Sequence, residues 1–137
     1  MRFKRGQSVE IALKEEGFQG SYYAGIVLTR LQDNDYIVEY KTLVNDEETR
    51  LLRDVINGVD IRPVPPEIKV SSFGLCEKAD AYDNDGWWSG TVTGRKGVMY
   101  NVYFEGCREE IAYPLFRLRL HQEWKGGKWV VGDSEMV

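Results

Sequence analysis

Tyr82, Trp88 and Phe104, with Asp83 and Asp85 next to the first of them, are the side chains of this chain best suited to chemistry. Three aromatic faces around one cavity attract a cation, because each ring is negative over its face and contributes about 0.5–2 kcal/mol. A methylated ammonium suits such faces, since methylation lowers its hydration cost. An acid at the rim, Asp83 or Asp85, adds opposite charge and can accept a hydrogen bond from a mono- or dimethylated lysine. The competing reading makes Trp88 and Phe104 ordinary core residues. All four tryptophans and 11 of the 17 aromatic residues lie in residues 67–137, so this chemistry is concentrated in the second half.

The first half offers a poorer version. Its matching positions are Ala12, Tyr23 and Tyr40, so one wall is missing, although Phe18 on a glycine-flanked loop can supply another. Its acids are better placed. Glu39 lies within a strand, and Asp46, Glu47 and Glu48 follow it, where they can hold unmodified Lys or Arg of a peptide. The bland alternative is a solvated charged turn.

Catalytic and metal chemistry find little support. His121 is the only histidine and reads as a surface residue without a nucleophile partner. Glu109 and Glu110 are adjacent on a strand and so face opposite ways, a poor geometry for paired-carboxylate catalysis. Gly94-Arg95-Lys96-Gly97 lacks the spacing of a phosphate loop and reads as a hairpin turn. Cys76 and Cys107 have no nearby Cys or His and read as reduced, partly buried thiols, with a disulfide between them open as an alternative. The expectation is a non-enzymatic chain with no metal and no cofactor.

The elements that would position these residues come twice. Val9-Glu10-Ile11 matches Ala79-Asp80-Ala81, and Tyr22-Tyr23 matches Trp87-Trp88. Tyr36–Tyr40 matches Tyr100–Phe104, Glu47-Glu48 matches Glu109-Glu110, and Ile61-Arg62 matches Leu118-Arg119. Period-two runs predict strands over 8–13, 22–30, 35–40 and 48–52 with a short piece near Ile61, and a helical turn within 51–59. In the second half they fall over 78–82, 87–95, 99–104, 109–114 and 117–120. Five short strands per copy read as a small curled barrel. In each aromatic pair the neighbours point to opposite faces. The second member, Tyr23 or Trp88, is the expected binding wall, and the first is expected to pack inward.

The fold class expected is all-β: two tandem SH3-like or Tudor-like barrels. Residues 1–66 form the first domain, 67–124 the second, and 125–137 a strand end, tail or linker. Pro63-Val64-Pro65-Pro66 is the punctuation between them, stiff enough to predict a rigid cassette. The formal charge is −4, and each half carries 9 basic and 11 acidic residues. That balance favours a basic peptide over duplex nucleic acid, which usually meets a net basic face. No apolar run approaches membrane-span length. The basic start lacks a following apolar stretch, which predicts a chain kept inside the cell.

The order of features resembles the plant Agenet domain, a member of the Tudor-like Royal group. The first copy carries Gly6-Gln7-Ser8-Val9-Glu10, Tyr22-Tyr23, Tyr36-Ile37-Val38-Glu39-Tyr40, Glu47-Glu48 and Ile61-Arg62-Pro63-Val64-Pro65-Pro66. The second departs at Ala79 and lacks the closing prolines but keeps the order. The resemblance covers roughly residues 3–124.

It implies a nuclear chromatin reader similar to multi-Agenet proteins that bind dimethyllysine on the histone-three tail and link it to silencing and DNA methylation. The cage it implies is Tyr82, Trp88 and Phe104, with Asp83 or Asp85. Tyr23, Tyr40, Glu39, Asp46, Glu47 and Glu48, with a groove between the domains, would hold the basic remainder of the tail. The cassette would act as a monomer and could be a segment of a longer array. Two rivals stand beside this reading: a scaffold indifferent to methylation, and a single-strand nucleic-acid binder that stacks bases on the same aromatics.

Overall fold

A computed structural model describes residues 2–131. The chain falls into two compact units, with the boundary between Val64 and Pro65. The first contains β1 (Ser8–Leu13), β2 (Ser21–Arg30), β3 (Asp35–Val44), β4 (Leu51–Asn57), a 3₁₀ turn at Gly58–Asp60 and β5 (Ile61–Pro63). The second repeats the plan with β6 (Lys78–Asp83), β7 (Gly86–Lys96), β8 (Met99–Phe104), β9 (Glu109–Pro114), a 3₁₀ turn at Leu115–Arg117 and β10 (Leu118–Leu120). It then adds a hairpin, β11 (Gln122–Lys125) and β12 (Lys128–Val131).

Pairing is antiparallel throughout. In the first unit β1 pairs with β2 and β5, β2 with β3, and β3 with β4. In the second, β6 pairs with β7 and β10, β7 with β8, and β8 with β9. Each long second strand has a register shift at the matching place, between Val27 and Thr29 and between Val92 and Gly94. An extra residue there bends the strand and raises its twist, which curls a five-stranded sheet toward a barrel.

The alternation supplies both cores. Val9, Ile11, Tyr23, Val27, Tyr36, Val38 and Tyr40 are buried in the first unit. In the second, Ala79, Ala81, Val92, Tyr100, Val102, Phe104, Tyr113 and Leu118 close around Phe73. Each unit is stapled at its start by a phenylalanine whose backbone N–H donates to a buried tyrosine hydroxyl, Phe3 to Tyr36 at 3.1 Å and Phe73 to Tyr100 at 3.4 Å. Gly25 and Gly90 sit where strands approach closely. A Cβ on Gly90 would come within 2.9 Å of the Tyr103 carbonyl oxygen and 3.0 Å of the Phe104 ring.

Four local expectations are corrected. The fourth strand spans Leu51–Asn57, later than the expected 48–52, because it pairs along Asp35–Val44. The helical turn is confined to Gly58–Asp60, where the Asn57 side chain accepts from the Val59 N–H. Arg117 belongs to a 3₁₀ turn, so the closing strand starts at Leu118. Residues 125–131, expected as a strand end, tail or linker, instead complete a hairpin that begins at Gln122. Gly126 and Gly127, at φ 56° and 78°, make its turn, and Trp124 and Trp129 pair across it with ring centroids 5.1 Å apart. Residues 132–137 of that expected tail lie outside the described residues.

Candidate functional site

The register decides which aromatics can meet. Trp88 lies opposite Ala81, and Tyr82 opposite Trp87. Directly opposed residues share a face, and neighbours along a strand do not. Trp88 is therefore on the inner face with Ala79, Ala81 and Asp83, and it packs against the core that holds Phe104 and Tyr113. Tyr82 is on the outer face, its ring 5.1 Å from that of Trp87 in an edge-to-face contact. The expected trio of Tyr82, Trp88 and Phe104 is thus corrected: the ladder separates Tyr82 from the other two.

Tyr113 stands beside the other two instead. Its ring meets Phe104 edge to face at 6.1 Å, and its hydroxyl donates to Asp83 Oδ2 at 2.7 Å. Burial and this bond to a carboxylate push the hydroxyl pKa well above its ordinary value, so it remains a donor. Asp83 Oδ1 accepts from the Asn84 N–H at 2.9 Å, and the Asp83 carbonyl accepts from Trp88 Nε1 at 2.8 Å. One carboxylate is therefore fixed beside three aromatic rings, with Trp88 half-buried and Phe104 and Tyr113 buried. Such a site favours a cation with apolar substituents. Asp85 is exposed at the tip of the turn. Tyr113 was missed because a tyrosine beside a proline at a strand end reads as edge packing. Its place opposite Tyr100 sets it on the same face as Phe104, which the ladder shows and the sequence does not.

In the first unit the equivalent positions are Leu13 for Asp83, Tyr23 for Trp88, Tyr40 for Phe104 and Ile56 for Tyr113, by the same pairings. Tyr23 and Tyr40 are each 1% exposed, so neither is the binding wall expected of it. Phe18 lies edge to face on Tyr23 at 6.2 Å. Burial, then Asp54 and Glu15, push the Tyr40 hydroxyl up to about 12. The acids divide. Glu39 is bonded to Arg53 at 2.8 Å, whereas Asp46, Glu47 and Glu48 are exposed on a loop that Asn45 organises through bonds to Thr49 and Arg50.

The outer faces hold a feature that sequence reasoning did not assemble. Glu10 accepts from Arg62 at 2.8 Å, and that guanidinium lies 3.5 Å from the Tyr22 ring centroid. Asp80 accepts from Arg119 at 2.9 Å, and Arg119 lies 4.3 Å from the Trp87 centroid. The first member of each aromatic pair thus stacks under the closing arginine instead of packing into the core. In the second unit His121 joins the clamp. It is buried, which corrects the surface reading, with Nδ1 2.7 Å from Asp80 and Nε2 3.2 Å from Glu123.

Burial opposes both charges of this pair. Asp80 and Glu123 nonetheless hold the imidazole above its ordinary pKa, and His121 and Arg119 hold Asp80 below its own. Ser89 donates to the same Asp80 oxygen at 2.9 Å and meets the same Nδ1 at 3.1 Å. Asp80 thus ties Ser89 of β7, Arg119 of β10 and His121 together, and His121 carries the link on to Glu123 of the hairpin.

Both cysteines are free and exposed, where partial burial was expected. Gly97 and Val98 turn the hairpin between β7 and β8. Among the described residues no group of three or more His, Cys, Asp or Glu is placed to hold a metal ion, and no helix is long and apolar enough to cross a membrane.

A model of the Agenet domain matches residues 6–66. Over 128 residues the chain is 34% identical to Protein AGENET DOMAIN (AGD)-CONTAINING P1 of Arabidopsis thaliana, a match that takes in 93% of this chain and 25% of that protein. It is 33% identical over 138 residues to DUF724 domain-containing protein 6 of the same plant, covering 96% of this chain and 20% of that one. The chain thus spans a quarter or less of the length of these curated relatives. Among solved structures, AGD34 of Arabidopsis thaliana AGDP1 superposes with a TM-score of 0.89 at 34% identity, over 95% of this chain and 90% of that one. The tandem Agenet domain 3-4 of ADCP1 gives 0.85 at 30%, over 95% and 88%.

Proposed function

The chain belongs to the Agenet family of protein- and peptide-binding modules, and from that premise we propose that its second barrel reads a methylated lysine on the histone-three tail. The observation that carries this is the end of that barrel, where Trp88, Phe104 and Tyr113 stand around the fixed Asp83 carboxylate. The rings attract the methylated ammonium, and Asp83 supplies the negative charge. Dimethyllysine keeps one N–H that can donate to a carboxylate, whereas trimethyllysine has none. The exposed acids Asp46, Glu47 and Glu48 of the first barrel would engage unmodified basic residues of the tail. The reading places the protein in the nucleus, on silenced chromatin, as a non-enzymatic reader.

A cage alone is weak. Micromolar binding corresponds to about −8 kcal/mol, and three rings at 0.5–2 kcal/mol each leave the remainder to peptide backbone and charge contacts. Calorimetric titration with dimethylated and unmethylated histone-three tail peptides tests the reading. The methylated peptide should bind about tenfold or more tightly, and Trp88→Ala should remove that preference while thermal unfolding shows the variant folded. Equal affinity for the two peptides in the wild-type protein would point to a scaffold that ignores methylation.

A further inference from the structure

The end of the second barrel that holds Trp88 and Asp83 has a flank that differs in charge from its counterpart in the first. Leu118 of β10 lies opposite Ala81 of β6. Phe116 and Arg117 precede Leu118 in the 3₁₀ turn Leu115–Arg117, which lies against β6. Arg117 Nη1 donates to the Tyr82 carbonyl at 3.1 Å, the only hydrogen bond or ion pair of this side chain among the described residues. Phe116 is 83% exposed. Burial and Asp83 raise the Tyr113 hydroxyl, and the charge of Arg117 acts against them. In the first unit these two positions are Val59 and Asp60, and Asp60 faces Lys14 at 3.9 Å.

We propose that Phe116 and Arg117 read an anionic side chain, a carboxylate or a phosphorylated hydroxyl, within two residues of the methylated lysine. This rests on the reading of Trp88, Phe104, Tyr113 and Asp83 as the methyllysine pocket. The guanidinium is planar, with five donors, and the bond to the Tyr82 carbonyl holds one edge while others stay able to grip two oxygens. Phe116 beside it offers an apolar surface to the peptide backbone or to a neighbouring side chain. An extended peptide advances about 3.3 Å per residue, so a residue two places from the ammonium can reach this flank. Asp83 then takes the positive group and Arg117 the negative one, and the order of the two charges fixes the direction in which the peptide lies.

The test uses the whole chain and peptides of one sequence. Each carries dimethyllysine, with serine, phosphoserine or glutamate at the second residue on one side or the other, and an unmethylated serine peptide serves as reference. At low salt the anionic peptides should bind about fivefold more tightly than the serine peptide on one side only. That ratio should fall to about one in Arg117→Gln. Arg117→Lys, which keeps a point charge without the fork, should restore part of it. Gain with phosphoserine alone would assign the phosphorylated source, and gain with both the shared anionic chemistry. Equal affinities in the wild-type protein, or a gain that survives in Arg117→Gln, would overturn the inference and leave the pocket standing. Loss of methyl dependence in every peptide would overturn the pocket itself, and the inference with it.

Discussion

Tyr23 and Trp88 occupy the same register position, across from Ile11 and Ala81, yet Tyr23 is 1% exposed and Trp88 is half-buried. The loop before each residue accounts for the difference. In the first unit, residues 14–20 form a loop whose glycines Gly17 and Gly20 take φ values of 88° and 85°. Turn bonds from Phe18 N–H to the Glu15 carbonyl and from Ser21 N–H to the Phe18 carbonyl fold it back. Phe18 is thereby laid on Tyr23. In the second unit only Asn84 and Asp85 intervene, both with positive φ, the two-residue hairpin turn that asparagine and aspartate tolerate. Such a turn has no side chain long enough to cover the barrel end. One sheet plan therefore leaves the aromatic at this register buried or half-buried according to a single connection.

The clamps on the outer faces give the largest test of how alike the copies are. Asp80 is fully buried and serves Arg119, His121 and Ser89, whereas Glu10 is bonded to Arg62. Asp80→Ala should cost about 3–5 kcal/mol, because it strands charged partners in a desolvated place. Glu10→Ala should cost less, since one arginine loses this acid and retains its stacking on Tyr22. Urea unfolding of both variants measures the order, and a greater loss at Glu10 would mean that the histidine adds nothing to the second clamp.

A smaller effect separates the copies by pH, because only the second clamp contains a histidine. The His121 pKa is raised above its ordinary 6.5, so the stabilisation from its charge is complete below that value and is lost as pH rises through the folded one. Asp80 is held below its ordinary 3.8, so its contribution is complete above that value and is lost as pH falls through the folded one. The hairpin carrying Trp124 and Trp129 should therefore be held best from mildly acidic pH to near neutrality and loosen on the alkaline side. Near-ultraviolet circular dichroism of the tryptophan pair across this range checks it, and His121→Gln should flatten the alkaline limb.

The repeat was legible because strands advertise themselves by period two. Val9-Glu10-Ile11 and Ala79-Asp80-Ala81 read alike and lie alike, and β1, β8 and β9 fall at the expected residues. Faces were harder to assign. Tyr82 and Trp88 both seemed to end near one opening, but a register in which Tyr82 meets Trp87 sets them on opposite sides of the ladder. A one-residue difference in register would have reversed that assignment. His121 looked isolated because its partner Asp80 is 41 residues away and is brought to it by the pairing of β10 with β6. Burial of Tyr23 depended on where a loop folds, which the pair Tyr22-Tyr23 does not encode.

The smallest predicted effect bears on whether the covering loop alone sets the first barrel apart from the second. Phe18 is half-buried, so Phe18→Ala should cost only about 1–2 kcal/mol while uncovering Tyr23. It should not create a methyllysine site in the first barrel, because Leu13 stands where the second barrel has Asp83 and Ile56 stands where it has Tyr113. Two tyrosine faces without a carboxylate attract an ammonium too weakly to offset the ordering of a peptide. Leu13→Asp added to Phe18→Ala would return the missing charge to the uncovered end. In a Trp88→Ala background, which on the proposed function no longer binds through the second barrel, the double change should give weak binding that prefers the methylated peptide, and Phe18→Ala alone should give none. Binding by Phe18→Ala alone would mean that the loop, and not the chemistry beneath it, is the whole difference between the copies.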